Sequence, residues 1–359
     1  MSRESNRKVI LITGGTGSLG KALIHKLMNN DSYSKIIIYS RDEHKQETLF
    51  KGLQKCSGAE KLRFLIGDIR DYSRLSLAMQ GVTEVIHTAA LKIVPTIEYN
   101  PDEAIKTNIL GAQNLISAAR ERQVEKVIAV STDKAVSPLN LYGATKLAME
   151  KLVIAANNIN TQYGPRFSVV RYGNVSGSRG SVIPLFQKLL AEKRNLTITH
   201  KSMSRFWITL YEASDFVLNC LDTMEGNEIF IPEMKSYTVL ELAQVMLESE
   251  YRNFGQPETI ENRIEYVGIR PGEKLHEEIV SLHEMPYVVD IPNGGYIIGR
   301  EVQKDYLDYL GDYPANAYTS EHNRMSKQEL ANKMIENGFI FPQILLNGND
   351  LPGQEQVWG

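Results

Sequence analysis

The segment Thr13-Gly14-Gly15-Thr16-Gly17-Ser18-Leu19-Gly20 constrains this chain more than any other. It follows a β-branched run, Lys8–Thr13, and opens a helix-patterned stretch. Gly14, Gly17 and Gly20 stand at GxxGxxG spacing. The first glycine permits a tight turn, the second lets the backbone approach a pyrophosphate, and the third packs helix on strand. The helix N-terminus then turns its N–H groups toward phosphates. Thr16, Ser18 and Leu19 complete the expected dinucleotide contacts of this turn.

The alternation that begins there continues. Strand-like runs at Lys8–Thr13, 35–40, 63–68, 84–89 and 126–132 are separated by helix-patterned stretches at 21–28, 72–79 and 101–122. The runs are continuously apolar, as in a parallel sheet covered on both faces. A further helix is expected over 140–158 and a sixth strand over 166–172. After about Gly177 the rhythm gives way to shorter pieces: helices at 183–193, 212–224 and 239–247, strands at 196–199, 228–231 and 263–267. The expected fold is α/β, a Rossmann-type doubly wound parallel sheet with a smaller mixed α/β C-terminal substrate-binding region. Residues 1–177 make the nucleotide-binding domain, to which later segments can return. Residues 178–340 make the cap, and 341–359 an irregular tail.

Composition narrows the partners. The 359 residues are 42% hydrophobic and 23% charged, with a net charge of −3. That balance leaves no footprint for nucleic acid or an anionic membrane. No apolar run reaches the roughly 20 residues of a membrane helix. Cys56 and Cys220 stand alone, and the histidines show no ligand spacing, so no metal site is expected. A soluble, cytoplasmic protein is the expectation.

The second strand ends Tyr39-Ser40-Arg41-Asp42. NAD enzymes place a carboxylate at that tip to hold the ribose 2′-hydroxyl. Here Ser40 stands at the tip, Arg41 follows and Lys45 is near, a set suited to a 2′-phosphate. NADP is therefore favoured over NAD, with Asp42 keeping NAD open unless it caps the next helix. Asp68 and Ile69 follow the third strand where an adenine would lie, and Asp68 serves either as an acceptor there or as a loop-start cap. Thr88 and Ala89 end the fourth strand beside the same cleft. Lys92 follows at the sheet's C-terminal edge, within reach of cofactor or substrate phosphate. Asn108 is placed among the cofactor contacts or as an amide that orders the site.

Chemistry concentrates between Ser131 and Lys146. Tyr142 and Lys146, four residues apart, share one helix face. A lysine one turn away, with a nicotinamide cation, would lower the tyrosine enough to act as a base near neutral pH. Thr132, at a strand tip, can bond the same alcohol oxygen. Asp133 and Lys134 set an acid and an amine side by side.

The glycine fingerprint with Tyr142 and Lys146 resembles the extended short-chain dehydrogenase/reductase family. Further motifs are similar to the inverting UDP-N-acetylglucosamine 4,6-dehydratases of bacterial surface-glycan biosynthesis. They include Ala89-Ala90-Leu91-Lys92, Lys106-Thr107-Asn108-Ile109, Ser131-Thr132-Asp133-Lys134-Ala135, Arg171-Tyr172-Gly173-Asn174-Val175, Ser178-Arg179-Gly180-Ser181, Arg205-Phe206-Trp207-Ile208-Thr209 and Gly268-Ile269-Arg270-Pro271-Gly272-Glu273-Lys274. The resemblance spans roughly residues 9–278 and is not matched beyond about Ser281. It implies oxidation at C4 of the sugar with Tyr142 as base, loss of the C6 hydroxyl as water, and return of hydride to C6. Where retaining relatives carry an Asp-Glu pair, this chain has Asp133-Lys134. Asp133 is then expected to protonate the leaving hydroxyl and Lys134 to manage the C5 proton, with inversion at C5. A lysine base must be partly neutral, so its pKa is expected to be depressed.

The resemblance also implies a nucleotide-diphosphate site and a homo-oligomer. Asn174, Ser181, Val182, Arg205 and Arg270 are the candidates for the substrate's phosphates, and Glu273 for a ribose hydroxyl. Two other readings stay open. A UDP-sugar 4-epimerase would use Tyr142 and Lys146 and need nothing from Lys134. A non-catalytic dinucleotide-binding protein would need neither pair.

Overall fold

The computed structural model describes residues 7–159, 164–178, 180–254, 259–291, 294–299 and 317–340. The expected tail at 341–359, and Arg179 of the Ser178–Ser181 motif, lie outside the described residues. Strands β1 (Lys8–Thr13), β2 (Tyr33–Ser40), β3 (Leu62–Ile66), β4 (Glu84–His87), β5 (Lys126–Val130) and β6 (Arg166–Val170) pair in the order β3-β2-β1-β4-β5-β6, all parallel. The unbroken apolar runs are buried on both faces: Ile10, Leu11, Ile12, Val85, Ile86, Val127 and Ile128 are all fully inaccessible. Helices α1 (Ser18–Met28), α2 (Glu43–Leu53) and α3 (Tyr72–Ala78) connect successive strands. The chain reverses its direction of growth at β1, which lies between β2 and β4. Ligands of such sheets bind at that switch, outside the strands' carboxyl ends.

Local sequence explains the helix starts. Asp42 caps α2 by accepting the Lys45 N–H at 3.0 Å, and Asp71 caps α3 from Arg74 at 3.0 Å. The stretch expected as one helix over 101–122 is continuous but not uniform. Helix α4 (Val94–Tyr99) precedes it, then α5 (Pro101–Ala104) passes through a π-helical segment, Ile105–Leu110, into α6 (Gly111–Glu121). Such wide turns are frequent at functional sites. Helix α7 (Leu141–Ala156) starts where Asn140 accepts the Gly143 N–H at 2.9 Å.

The second half of the chain serves two layers. Strand Ile229–Ile231 adds to β6 in parallel, and Tyr296–Ile298 and Val288–Asp290 extend the nine-stranded sheet antiparallel. Pieces numbered within the expected cap therefore return to the nucleotide-binding sheet. Other pieces, Val182–Ala191 and Val239–Phe254 among them, pack around a separate core of Phe186, Trp207, Leu242, Met246, Leu330 and Met334. Here Ser204–Trp207 pairs antiparallel with Lys235–Thr238, and Leu196–Ile198 pairs parallel with Ile264–Tyr266. Trp207 belongs to this core, edge-on to Tyr237 at 5.7 Å. Among the described residues no helix is long and apolar enough to cross a membrane.

His87 ends β4 with Nδ1 2.7 Å from Thr13 Oγ1. Burial, reinforced by Lys146, lowers its imidazole from 6.5 to about 3. Below pH 6.5 the unfolded chain binds a proton that the folded one does not. Stability should therefore fall on acidification from about 6.5 toward about 3, by up to roughly 1.4 kcal/mol per pH unit from this group. Urea unfolding at stepped pH checks it: His87→Asn should lose stability less steeply than the parent chain, and an equal slope would discount the imidazole.

Candidate active site

At the switch point the glycine turn meets the end of β4. Gly14 has φ +68°, and a Cβ there would stand 2.8 Å from the Ala89 nitrogen and 2.9 Å from Thr88 Oγ1. Thr88 Oγ1 donates to the Thr13 carbonyl at 2.7 Å, and the Ala89 N–H reaches Thr13 Oγ1 at 3.4 Å. Gly20 leaves no room for a side chain either, since a Cβ would stand 2.5 Å from the Gly15 oxygen. Gly17 precedes α1 without a side-chain cap, and the helix has no acid in its first turn. With Thr16 buried in the turn, the N–H groups opening α1 at Ser18 and Leu19 suit a bound pyrophosphate.

Around the tip of β2 each expected cofactor residue has a protein partner. Ser40 Oγ accepts from Gln46 Nε2 at 3.0 Å. Asp42 is spent on the α2 cap and on Lys45 Nζ at 2.8 Å. Asp68 receives Arg70 Nε at 3.0 Å on each oxygen, with Arg41 3.5 Å away. Arg41 remains half exposed. Ile69 is buried against Gly111. Asn108 gives both of its amide protons away, to the Leu91 carbonyl at 2.9 Å and Thr145 Oγ1 at 3.0 Å, while accepting the Leu91 N–H at 2.9 Å. It clamps the segment after β4 to α7, which is the ordering role. Lys92 stands exposed just beyond that clamp.

The catalytic candidates gather at the end of β5. Thr132 Oγ1 donates to Asp133 Oδ1 at 2.9 Å. Lys134 Nζ lies 3.0 Å from Asp133 Oδ1 and 3.2 Å from Glu277 Oε1. Asp133 is fully buried, its carboxyl pushed upward by burial, and its Oδ2 has no hydrogen-bond partner. Burial works against the Lys134 charge, but Asp133 and Glu277 outweigh it and raise the amine above its ordinary value. The expected depression of Lys134 is thus overturned: two carboxylates hold it as an ammonium.

Burial pushes the Tyr142 phenol up to about 12, while Lys134 and Thr132 work to lower it. The depressed amine is Lys146, brought to about 8 by burial against the pull of Glu150. Its Nζ donates to the Val130 carbonyl at 2.5 Å. In this state Lys134, rather than Lys146, is the cation acting on Tyr142.

A cavity of about 590 Å³ opens beside this cluster. Asn174, Ser181, Val182, Arg205, Arg270 and Glu273 all line it, as does Lys134, with 23% of its side chain still exposed. Lys92 does not. Asn174 Oδ1, Ser176 Oγ and Ser181 Oγ are buried there without a hydrogen-bond partner. Helix Val182–Ala191 begins at the cavity, with Ser181 giving no side-chain cap. Unpaired polar atoms, a helix N-terminus and Arg205 suit a polar anionic ligand. Glu277, which also lines the cavity, was missed in the sequence, although it stands just after the Gly268–Lys274 motif.

The polysaccharide biosynthesis protein family matches residues 10–296. The chain belongs to that family. It is 48% identical over 313 residues to the inverting UDP-N-acetylglucosamine 4,6-dehydratase of Campylobacter jejuni, covering 87% of this chain and 88% of that one. It is 44% identical over 340 residues to a UDP-glucose 4-epimerase of Rickettsia akari, covering 91% and 95%. The solved structure of Pen from Bacillus thuringiensis superposes with a TM-score of 0.83 at 37% identity, over 92% of this chain and 98% of that one.

The cradle yields a direct expectation. Gly14→Ala should cost on the order of 1–3 kcal/mol, because the residue would carry a side chain at positive φ against backbone. Thermal melting should show the loss, and dinucleotide titration should show weakened binding. A variant that matches the parent chain in both would rule the cradle out.

Proposed function

We propose that this member of the family is a nucleotide-sugar 4,6-dehydratase. It converts UDP-N-acetylglucosamine to the UDP 6-deoxy-4-keto sugar with inversion at C5, for bacterial surface glycans. The observation that carries this is Lys134. It borders the cavity beside Asp133 and Tyr142, and 4-epimerisation gives such an amine no task. The Campylobacter relative supports the substrate, and the Rickettsia relative marks the alternative.

A nicotinamide dinucleotide held by the Gly14–Gly20 turn would supply a hydride acceptor for C4 and a hydride donor for C6. The rest falls to the chain's residues. Tyr142 takes the proton of the C4 hydroxyl, and Thr132 bonds the same oxygen. The resulting ketone acidifies C5–H. Asp133, whose carboxyl burial keeps high, protonates the C6 oxygen as it leaves as water. Lys134 manages the C5 proton, taking it as the free amine and giving it back to C5 as the ammonium. Arg205, Arg270, Asn174 and the Ser181–Val182 backbone hold the diphosphate, with Lys92 at its edge and Glu273 on the uridine ribose.

NADP is the proposed dinucleotide. Asp42 is committed to the α2 cap and Lys45, so the acid nearest the β2 tip has little left for a 2′-hydroxyl. Arg41 keeps half its surface for a 2′-phosphate. Thr88, Ala89, Asp68 and Ile69 border the adenosine side of the same proposal. A cytoplasmic homo-oligomer is its expected state.

Incubation with UDP-N-acetylglucosamine followed by mass measurement tests the reaction. Loss of one water is expected, and an unchanged mass with a new 4-epimer would sink the dehydratase reading. Lys134→Ala should retain dinucleotide binding yet yield no dehydrated product; full turnover would remove Lys134 from the chemistry. For the cofactor, Arg41→Ala should weaken NADP binding by about tenfold or more and leave NAD nearly unchanged, as expected for one charge-assisted phosphate contact. Equal losses for the two would refute the 2′-phosphate assignment.

A further inference from the structure

Where the cavity is read as the diphosphate site, Arg205 has to be held in place before substrate arrives. Its guanidinium spans two pieces of backbone. Nη1 donates to the Ser204 carbonyl at 2.7 Å and to the Leu275 carbonyl at 3.3 Å. Nη2 lies 3.3 Å from Glu273 Oε1, and Nε lies 3.6 Å from Glu277 Oε1. The aim of the guanidinium therefore depends on the spacing between the strand Ser204–Trp207 and residues 273–277. Those pieces meet in one isolated bridge, Ser204 with His276, and in the Ser204 N–H bond to the Leu275 carbonyl at 3.1 Å. So short a ladder fixes that spacing weakly by itself.

We propose that Ser320 is the positioning residue that locks this spacing and so sets Arg205 for the substrate's diphosphate. Ser320 is fully buried. Its N–H donates to the Glu277 carbonyl at 2.7 Å, and its Oγ accepts the Glu277 N–H at 2.8 Å. Its one hydroxyl proton goes to Ser204, whose Oγ lies 2.8 Å away and whose carbonyl oxygen lies 3.1 Å away. That carbonyl is the one that accepts from Arg205. A single small side chain thus lies across both pieces of backbone that the guanidinium spans. Ser204 Oγ also meets His276 Nδ1 at 2.7 Å, which closes the network on the same segment.

The segment that carries Ser320 lies beyond the motif resemblance and is anchored by bonds of its own. Tyr318 donates its hydroxyl to the Met234 carbonyl at 2.8 Å. Ser236 Oγ donates to the His322 carbonyl at 2.8 Å, and the Ser236 N–H to the Asn323 carbonyl at 3.1 Å. The Met325 N–H returns to the Ser236 carbonyl at 2.8 Å. Residues 318–325 are therefore laced to the strand Lys235–Thr238, which itself pairs with Ser204–Trp207. Tyr318–Thr319 pairs in turn with Glu278–Val280. Ser320 is held at the point where the two pieces come together.

Loss of the hydroxyl would leave the Glu277 N–H buried without its acceptor. Relief requires that residues 275–277 shift relative to Ser204, and the Leu275 carbonyl and Glu277 carboxylate that orient Arg205 shift with them. A charge-assisted contact from a guanidinium to phosphate depends on that orientation. The effect is expected on binding of the diphosphate.

The test is titration with UDP and turnover of UDP-N-acetylglucosamine, using the parent chain, Ser320→Ala and Ser320→Thr, each loaded with dinucleotide. Ser320→Ala should bind UDP about tenfold more weakly, the loss of one well-aimed charge-assisted contact. KM for the sugar nucleotide should rise with it, and kcat should change less than KM. Ser320→Thr, which keeps the hydroxyl, should recover most of the affinity. In an Arg205→Ala background the Ser320→Ala change should cost less than about twofold, because the guanidinium it aims is gone. UDP affinity of Ser320→Ala within about twofold of the parent chain overturns the proposal, and so does an undiminished loss in the Arg205→Ala background. If Ser320→Ala does not fold, Ser204→Ala, which removes the other hydroxyl of the pair, decides alone, and unchanged UDP affinity there overturns it. A parent chain that binds no UDP would refute the diphosphate reading and this proposal with it. One that binds UDP without eliminating water would refute the dehydratase reading alone, and the UDP titrations would still decide on Ser320.

Discussion

One ammonium shared by two buried carboxylates organises the catalytic edge. Lys134 neutralises Asp133 from the turn after β5 and Glu277 from a segment far along the chain. Removing the lysine would leave the buried Glu277 carboxylate short of a cation, a destabilising change. The cap therefore cannot drift from the sheet without breaking this contact. Arg205 adds a second tie to Glu277 and, through Glu273, reaches the rim of the cavity.

A second buried cluster sets where Tyr142 sits. Glu150, one helical turn beyond Lys146, accepts from Ser131 Oγ at 2.5 Å and from Arg171 at 2.7 Å. Arg171, at the end of β6, continues to Glu284 at 3.0 Å. Tyr142, Lys146 and Glu150 stand at i, i+4 and i+8, so one stripe of α7 is docked on the ends of β5 and β6. Lys146 fastens the stripe to Val130 and Glu150 fastens it to Ser131. The tyrosine at the helix start is placed by the two residues below it. Glu284 lies just past the limit of the motif resemblance, yet it completes this cluster.

The sheet was legible because parallel strands announce themselves as unbroken apolar runs, and β1 to β6 emerged within a few residues of expectation. The glycine turn, Tyr142, Lys146, Asp133 and Lys134 were legible because their chemistry is tied to short spacing. Six cavity residues from Asn174 to Glu273 were found through motifs. Glu150 and Glu277 were not, since a glutamate in a helix or loop looks like a solvated charge until tertiary structure buries it. The ionisation of Lys134 failed for the same reason. From sequence its neighbour is one aspartate, and the second carboxylate arrives only through folding. Asp42 and Asp68 show the local alternative that the sequence also left open, with partners in Lys45 and Arg70.

Two lysines in one site are driven apart by what surrounds them. Lys146 has burial with one carboxylate pulling against it, and its amine falls to about 8. Lys134 has two carboxylates, which reverse the effect of burial. Environments of this kind separate the charge states of like groups. The same logic applies to Asp133, pushed up, and Glu277, held down, across a single ammonium. Tyr142, at about 12, is not a ready base in this state. Its ionisation needs positive charge added near the phenol, and Lys134 already contributes from one side. On the proposed mechanism, deprotonation of the C4 hydroxyl is thereby tied to occupancy of the dinucleotide cleft, so the first proton moves only when a hydride has somewhere to go.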